Sequence, residues 1–230
     1  MKKYLIIQLL FFGIYEALMS QPNSSHNLHF AKLQNRWDEG MPLGNGMIGA
    51  LVWQKNNRLR LSLDRADLWD ERKALDLTKF NFKWVKEQVL KKDYAAVQKL
   101  GDYPYDNIPY PTKLPAAAIE FNIVSLGNVV SNVLDIQTAL NIVTFKNGAV
   151  FKTYVHATHP DGYFIVENLP PQGNDSLSAL IPELAIHNYN SGNIQKTNDN
   201  SHAGEGLEKL GYPRGEIIKN KNSIQYHQPT

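Results

Sequence analysis

Short and closely spaced strand patterns restrict the fold of this chain more than any other feature. Apolar or alternating runs of strand length occur at residues 116–125, 129–137, 140–146, 149–157, 163–167 and 177–186. The dipeptide Asn147-Gly148 separates two of these runs and is a strong β-hairpin signal. A series of short strands without intervening helices favours an antiparallel sandwich over a parallel α/β sheet.

The first half of the chain adds one strand pair and one helix. Residues 47–54 and 58–63 flank Asn56-Asn57, and the second segment alternates strictly between apolar and polar side chains. Residues 82–100 change to helical spacing and end at Gly101. Four prolines between residues 103 and 115 predict an extended loop. The sequence therefore predicts a mainly β protein, a large antiparallel β-sandwich with one inserted helix.

The ends of the chain set the expected domain boundaries. Residues 21–35 are polar and predict a flexible lead-in, and residues 36–230 form the sandwich domain. A polar loop is expected at 188–206, and strand patterns return at 217–218 and 223–226. Because the sequence stops at Thr230 as these strands begin, we expect the sandwich to lack its last strands.

The first twenty residues resemble a secretion signal. Lys2 and Lys3 precede an apolar run from Tyr4 to Tyr15, and a small residue is available at Ser20. The alternative is an uncleaved anchor, but the run is shorter than the ~20 residues that a spanning helix needs. The sequence predicts a signal peptide at residues 1–20 with cleavage after Ser20.

Composition narrows the compartment and the partners. Removing the leader takes away two lysines and one glutamate, so the formal net charge falls from +2 to +1. A nearly neutral chain indicates neither nucleic acid nor, after signal cleavage, a membrane as partner. The chain has no cysteine, which excludes a thiolate metal site. Export without disulfides is typical of a bacterial periplasmic or secreted protein.

One motif first suggests a dinucleotide site. Gly44, Gly46 and Gly49 satisfy the G-x-G-x-x-G spacing, and Asp64 follows Gly44 by twenty residues. That motif binds pyrophosphate only where a helix begins at the glycines, and here the pattern that follows is a strand. We interpret the glycines as residues of a tight entry into the first strand, and a redox enzyme as an unfavoured class.

Several segments of the chain form a set in consistent order, spanning about residues 36–186. They are Trp37, Met41–Ala50, Leu61–Trp69, Lys92–Ala96, Leu134–Ala139 and Val155–Gly162. Together these segments resemble the N-terminal domain of glycoside hydrolase family 95, the α-L-fucosidase family. The family pattern has Leu-Pro-Leu-Gly-Asn-Gly-x-Leu-Gly-Ala where this chain has Met41–Ala50. It has Asn-Glu-Asp where this chain has Asp64-Arg65-Ala66-Asp67, so the sugar is expected to differ from fucose.

The resemblance implies a supersandwich-like domain that precedes an (α/α)6 catalytic barrel. In the family the catalytic acid and base lie in that barrel, so no catalytic residue, cofactor or metal is expected here, and the chain alone is predicted to be inactive. The implied partners are the barrel and the glycan substrate of the parent enzyme. The residues expected to face the barrel or the substrate entrance are Trp37, Asn45, Asp64, Asp67 and Trp69.

Alternative interpretations remain open for three groups of residues. The carboxylates of the segment 64–71 also fit a solvated turn with Arg65 and Arg72 as ion partners. His156 and His159 are better explained as polar residues at a strand end than as metal ligands. The tyrosines between residues 103 and 110 either pack a loop onto the sheet or stack on a sugar.

Two functions follow from these observations. The first is a non-catalytic N-terminal β-sandwich of an exported glycoside hydrolase, hydrolysing O-glycosyl bonds in the full-length parent. The alternative is a free-standing carbohydrate-binding β-sandwich module that uses a Tyr or Trp platform.

Overall fold

The computed structural model describes residues 22–73, 75–109, 111–169, 180–187, 198–199, 201, 207–208 and 210–229. The predicted signal peptide and most of the predicted 188–206 loop therefore lie outside the described residues. Within the described ranges no helix has the length and hydrophobicity that a membrane span requires.

Fourteen strands are found in the described residues. They are β1 (Leu28–Phe30), β2 (Met41–Gly44), β3 (Ile48–Lys55), β4 (Arg58–Arg65), β5 (Trp69–Asp70), β6 (Thr112–Lys113), β7 (Ala118–Asn122), β8 (Val129–Asp135), β9 (Leu140–Phe145), β10 (Val150–Val155), β11 (Gly162–Glu167), β12 (Glu183–Ala185), β13 (Glu216–Lys219) and β14 (Ile224–His227). The helical segments are α1 (Phe82–Leu90), α2 (Tyr94–Gly101), α3 (Tyr103–Asn107) and short 3-10 turns at Ser24–His26, Trp37–Glu39 and Val124–Leu126.

Two five-stranded antiparallel sheets form the body of the molecule. Sheet A has the order β1-β8-β9-β10-β11, and sheet B has the order β12-β7-β4-β3-β2. Two smaller pairs, β5 with β6 and β13 with β14, complete the described strands. The mainly β prediction is confirmed, and the arrangement is that of a β-sandwich.

The core lies between the two sheets because each strand turns alternate side chains inward. Sheet B contributes Leu61 and Phe121, and sheet A contributes Val143 and Phe151. The rings of Phe121 and Phe151 meet edge to face with centroids 4.9 Å apart. Aromatic pairs in this geometry stabilise a core beyond their buried area.

Two turns follow directly from asparagine and glycine chemistry. Asn56 and Asn57 both have positive φ, 49° and 61°, which gives the two-residue turn between β3 and β4. Gly148 has a φ of 89° and closes the turn between β9 and β10. Both predicted hairpins are confirmed.

The inserted helix is divided where one helix was predicted. The helical pattern of residues 82–100 breaks between α1 and α2, where Lys92 has a φ of 59°. The carboxylate of Asp93 then caps α2 by accepting from the Ala96 backbone N–H at 3.2 Å. The apolar spacing continues across the break, so the spacing did not reveal it.

The proline-rich segment also differs from its prediction. Residues 103–107 form the short helix α3, with Pro104 in its first turn. Proline is compatible with that position because the first helical N–H groups have no intrahelical partner. The prediction of a wholly extended loop was wrong for these residues.

The N-terminal part of the chain joins both sheets. Part of the expected flexible lead-in, Leu28–Phe30, forms strand β1 at one edge of sheet A. Pro42 and Leu43, expected in a turn, lie in strand β2 at the edge of sheet B. An edge strand accommodates Pro42 because a proline cannot donate to a neighbouring strand. The glycine motif is thus a β-hairpin, and strand β3 follows it as expected.

Candidate functional site

Asn45 joins the two sheets at one end of the sandwich. Its side-chain Oδ1 accepts from the backbone N–H groups of Met47, at 2.9 Å, and Ile48, at 3.0 Å. Its Nδ2 donates to the carbonyls of His156 and His159, both at 2.8 Å. The first pair closes the β2–β3 turn, and the second holds the loop between β10 and β11. All of the amide's hydrogen-bonding capacity is engaged within the chain.

Glycine is required at one position of this turn in particular. Gly46 has a φ of 87°, a conformation that side chains with a Cβ rarely adopt. Gly44 and Gly49 pair across the hairpin, and a Cβ at Gly44 would lie 3.2 Å from the Ile48 carbonyl oxygen. The glycines therefore allow the backbone conformation of a hairpin. No helix begins at these glycines, so they do not form the dinucleotide site that the motif first suggested.

The segment from Asp64 to Trp69 lies next to this hairpin. The backbone N–H of Ala66 donates to the Met47 carbonyl at 2.8 Å, and the Trp69 indole N–H donates to the Ala66 carbonyl at 3.0 Å. Lys113 donates to the carboxylate of Asp64. These contacts hold the segment in one conformation while 45% of the Trp69 surface stays exposed.

The acidic residues of this segment are paired with local cations. The Arg65 guanidinium binds Asp67 through two N–H groups at 3.0 and 2.7 Å. Arg72 binds the buried carboxylate of Asp70 at 2.8 Å. The expected ion partners Arg65 and Arg72 are confirmed, and Lys113 is a further partner that nothing in the sequence indicated.

The electrostatics of Asp67 do not suit acid catalysis. The hydrogen bond from Arg65 lowers the pKa of the Asp67 carboxyl below its usual value. A glycosidase needs one carboxylic acid whose pKa is raised so that it can protonate the leaving group. The ionised Asp67 is a hydrogen-bond acceptor, so its geometry fits a binding or packing contact.

The structure brings four of the five predicted residues to one end of the molecule. Asn45, Asp64, Asp67 and Trp69 lie around the β2–β3 turn, because Gly49 pairs with Asp64 in the sheet. Trp37 is at the other end of β3, where its backbone N–H donates to the Asp199 backbone carbonyl at 2.7 Å. The length of β3 separates the two ends by about 23 Å. Contact of these residues with a barrel stays a prediction.

His156 and His159 belong to the same corner as Asn45. The Nδ1 of His156 accepts from the backbone N–H groups of Thr158, at 3.3 Å, and His159, at 3.1 Å. That nitrogen shapes the loop, as expected for a polar residue at a strand end. Among the described residues, no group of three His, Asp or Glu side chains could hold a metal ion.

The tyrosine cluster is described in part. Tyr103 begins α3 and is 63% exposed, whereas Tyr110 lies outside the described residues. Exposure of Tyr103 leaves both earlier interpretations of the cluster open.

His187 was not singled out from the sequence. It follows β12 and is 6% exposed. Its pKa is lowered to about 4, mainly by burial, while a backbone hydrogen bond with Ala116 raises it and the nearby charges of Arg60 and Arg214 lower it. A single histidine after an apolar strand gives no sequence signal for this environment.

A cleft of about 480 Å³ opens at the Asn56–Asn57 end of the sandwich. None of the five predicted site residues lines it. Its wall is formed by Lys32, Leu33, Gln54, Asn57, Ile123, Val124, Gly127, Asn128 and Val129.

Comparison with protein families identifies the domain. The sequence model of "Glycosyl hydrolase family 65, N-terminal domain" matches residues 23–202, which include both sheets. A search of curated proteins found no match. The expectation of a glycoside hydrolase N-terminal domain is confirmed, while the resemblance to family 95 stays a prediction. The matched range covers most of the chain, and the chain therefore belongs to the family of glycosyl hydrolase family 65 N-terminal domains.

Proposed function

We propose that this chain is the non-catalytic N-terminal β-sandwich of an exported glycoside hydrolase that resembles the α-L-fucosidases of family 95. In the parent enzyme it packs against an (α/α)6 catalytic barrel and shapes the entrance to the active site. The family match across both sheets is the observation that carries this proposal. The ordered motifs from Trp37 to Gly162 support the fucosidase-like assignment.

The proposed packing surface consists of the β2–β3 turn and the Asp64–Trp69 segment. Met47 is 54% exposed and Trp69 is 45% exposed, although both are large and apolar. Aromatic residues and methionine are enriched at protein interfaces. The hydrogen bonds that link Ala66 to Met47 and Trp69 preorganise the surface, so a partner binds it without ordering a loop.

The first test of the proposal is an activity assay of the chain on aryl glycosides. The hydrogen bond from Arg65 lowers the pKa of the Asp67 carboxyl, so Asp67 is not a proton donor, and the Asp70 carboxylate is buried in an ion pair with Arg72. We expect no turnover of aryl fucosides or other aryl glycosides by the chain above the uncatalysed background. Hydrolysis at enzyme-like rates would overturn the non-catalytic assignment.

The parent enzyme is tested at the level of the gene. Sequencing the genomic DNA downstream of the Thr230 codon is expected to show a continuing frame that encodes a barrel. A frame that encodes an unrelated domain would contradict the proposal. Export is tested separately, by fractionating cells and sequencing the N-terminus of the mature chain, which is expected at Gln21.

The packing surface is tested with the barrel fragment produced from that downstream frame. Trp69→Ala is expected to weaken its binding to this chain more than tenfold, because buried tryptophans dominate interface energies. Val124→Ser is the matched control, since Val124 is 67% exposed in the wall of the cleft at the other end. Equal binding by both variants would remove this surface from the interface.

A further inference from the structure

The outward face of sheet A carries an aromatic pair that the barrel-packing role does not use. Tyr154 on β10 is paired with Tyr163 on β11, and both side chains point away from the core. Their rings are stacked, with centroids 5.1 Å apart and planes inclined by 18°. Tyr163 is 44% exposed.

The position of Tyr163 leaves one side of its ring accessible. Strand β11 is the last strand of sheet A in the described residues, so no further strand pairs with its far side there. One ring face packs on Tyr154, and 44% of the Tyr163 surface stays exposed. The result is a flat apolar surface at the edge of the sheet.

This surface is rigid. Phe164, the next residue, turns inward and meets the ring of Phe121 at 4.7 Å between centroids. The carbonyl of Tyr163 accepts from the Thr153 hydroxyl at 2.8 Å. Because both the strand and the ring are already held, a ligand that stacks on Tyr163 immobilises little additional side-chain freedom.

A charged pair lies on the same outward face, beyond the aromatic pair. Lys152 is two residues from Tyr154 on β10, about 7 Å along the strand, and it donates to Glu167 at 2.9 Å. Glu167 is four residues from Tyr163 on β11, about 13 Å along the strand, with Ile165 between them. A pyranose ring has an apolar C–H face and a rim of hydroxyl groups. The Tyr163 ring matches the first, while the Glu167 carboxylate accepts from hydroxyls and the Lys152 ammonium donates to them.

We propose that the outward face of β10 and β11 is a glycan-binding surface, on which an oligosaccharide stacks one pyranose ring against Tyr163 and places the hydroxyls of a neighbouring sugar at Lys152 and Glu167. The choice of a carbohydrate as the ligand rests on the proposed function, because a domain of a glycoside hydrolase lies close to the glycan substrate of that enzyme. The surface is separate from the Asp64–Trp69 segment, so the domain can hold a polysaccharide while the barrel acts on another part of it.

Calorimetric titration of the full chain tests this proposal, with 2′-fucosyllactose and unfucosylated xyloglucan oligosaccharides as probes. Tyr163→Ala is expected to weaken binding about tenfold, because a lost aromatic contact removes on the order of 1 kcal/mol. Tyr163→Phe is expected to keep the affinity within about twofold, since the ring is retained. Tyr94→Ala is the matched control, because Tyr94 is an exposed tyrosine on α2.

Three outcomes would overturn the proposal. The first is the absence of binding of either probe by the unchanged chain, and the second is equal weakening by Tyr163→Ala and Tyr94→Ala. The third is self-association that Tyr163→Ala abolishes in sedimentation, which would assign the surface to a second copy. Since the titration uses no barrel, these outcomes leave the barrel-packing proposal intact, and a failed barrel complex would leave glycan binding intact.

Discussion

The outward faces of the two sheets differ in what covers them. On sheet B, Trp53 is fully buried although it points away from the core between the sheets. Its indole N–H donates to the Ser62 hydroxyl at 2.9 Å, and the Arg60 guanidinium lies 5.8 Å from its ring. On sheet A, Tyr163 has Tyr154 on one side and is 44% exposed.

The difference teaches that the strand pattern alone does not decide which aromatic ring is buried. Both rings occupy outward positions on alternating strands. On sheet B, the later chain returns to the face, since Asp199 pairs with Lys55 at 2.8 Å and His187 is buried near Arg60. On sheet A, the described chain leaves the β10–β11 face open. The later chain therefore covers one outer face, whereas the other face is left exposed in the part of the chain that the structure describes.

The largest effect is expected from Trp53→Ala. Removing a fully buried aromatic side chain leaves a cavity and lowers the free energy of unfolding by about 3–5 kcal/mol. Tyr163→Ala is the matched variant on the open face and is expected to lower the free energy of unfolding by only about 1 kcal/mol, because its ring is 44% exposed. Urea denaturation of both variants measures the contrast. Equal losses would mean that the two faces are equally covered.

The second effect concerns pH and the closed face. His187 has a pKa of about 4 in the folded chain, below the ordinary histidine value of 6.5, chiefly because the side chain is buried. The unfolded chain therefore binds a proton first as the pH falls, and stability present above pH 6.5 is lost progressively down to pH 4. After allowance for solvent screening, the loss is expected to be about 2 kcal/mol.

His187→Gln is the control for this pH dependence. Denaturation curves at pH 7, 5.5 and 4 are expected to show a shallower loss for the variant than for the unchanged chain. Parallel curves would indicate that His187 takes up its proton in the folded state as readily as in the unfolded state.

A smaller effect is expected where the two sheets are joined. Asn45→Ala removes the hydrogen bonds to the His156 and His159 carbonyls and is expected to cost about 1–2 kcal/mol. Asn45→Asp keeps an acceptor for the Met47 N–H but loses both donors, so it tests the link between the sheets separately. Hydrogen exchange of the β10 and β11 amides is expected to increase in both variants. Unchanged exchange would show that the open face is independent of sheet B.

The smallest effect is expected from Ile165→Thr on the open face. Ile165 is 45% exposed, and threonine keeps the branched Cβ that suits a strand. The free energy of unfolding is expected to change by less than about 0.5 kcal/mol. A loss above 1 kcal/mol in urea denaturation would mean that another part of the chain covers this residue.

Local patterns in the sequence predicted the hairpins well. The alternation of residues 58–63 gave β4, and Asn56-Asn57 and Asn147-Gly148 gave their turns, because backbone preferences act over a few residues. Only the surroundings of a segment distinguish the buried Trp53 from the exposed Tyr163. The break at Lys92 follows from a local backbone conformation that the apolar spacing does not report.

The candidate site likewise combines residues that the local sequence predicted with residues that only the tertiary structure brings in. Its sequence neighbours Asp64, Asp67 and Trp69 were expected together, and the register of β3 with β4 adds Asn45 to them. Trp37 belongs to the same motif region but lies about one strand length from the other four residues. It precedes β2, and β2 then runs from the Asn56–Asn57 end of the sandwich to the β2–β3 turn. Lys113 and His187 reach their partners through long-range folding, which no motif in this chain encodes.

The contacts of Asn45 also bear on the order in which the molecule folds. Its hydrogen bond to the His156 carbonyl spans 111 residues of sequence, so it forms only after a large loop has closed. Interactions made after the transition state retard unfolding more than they accelerate folding. We therefore expect the Asn45 side chain to lower the unfolding rate of the native state more than it raises the folding rate. It would link the two sheets after each sheet has formed.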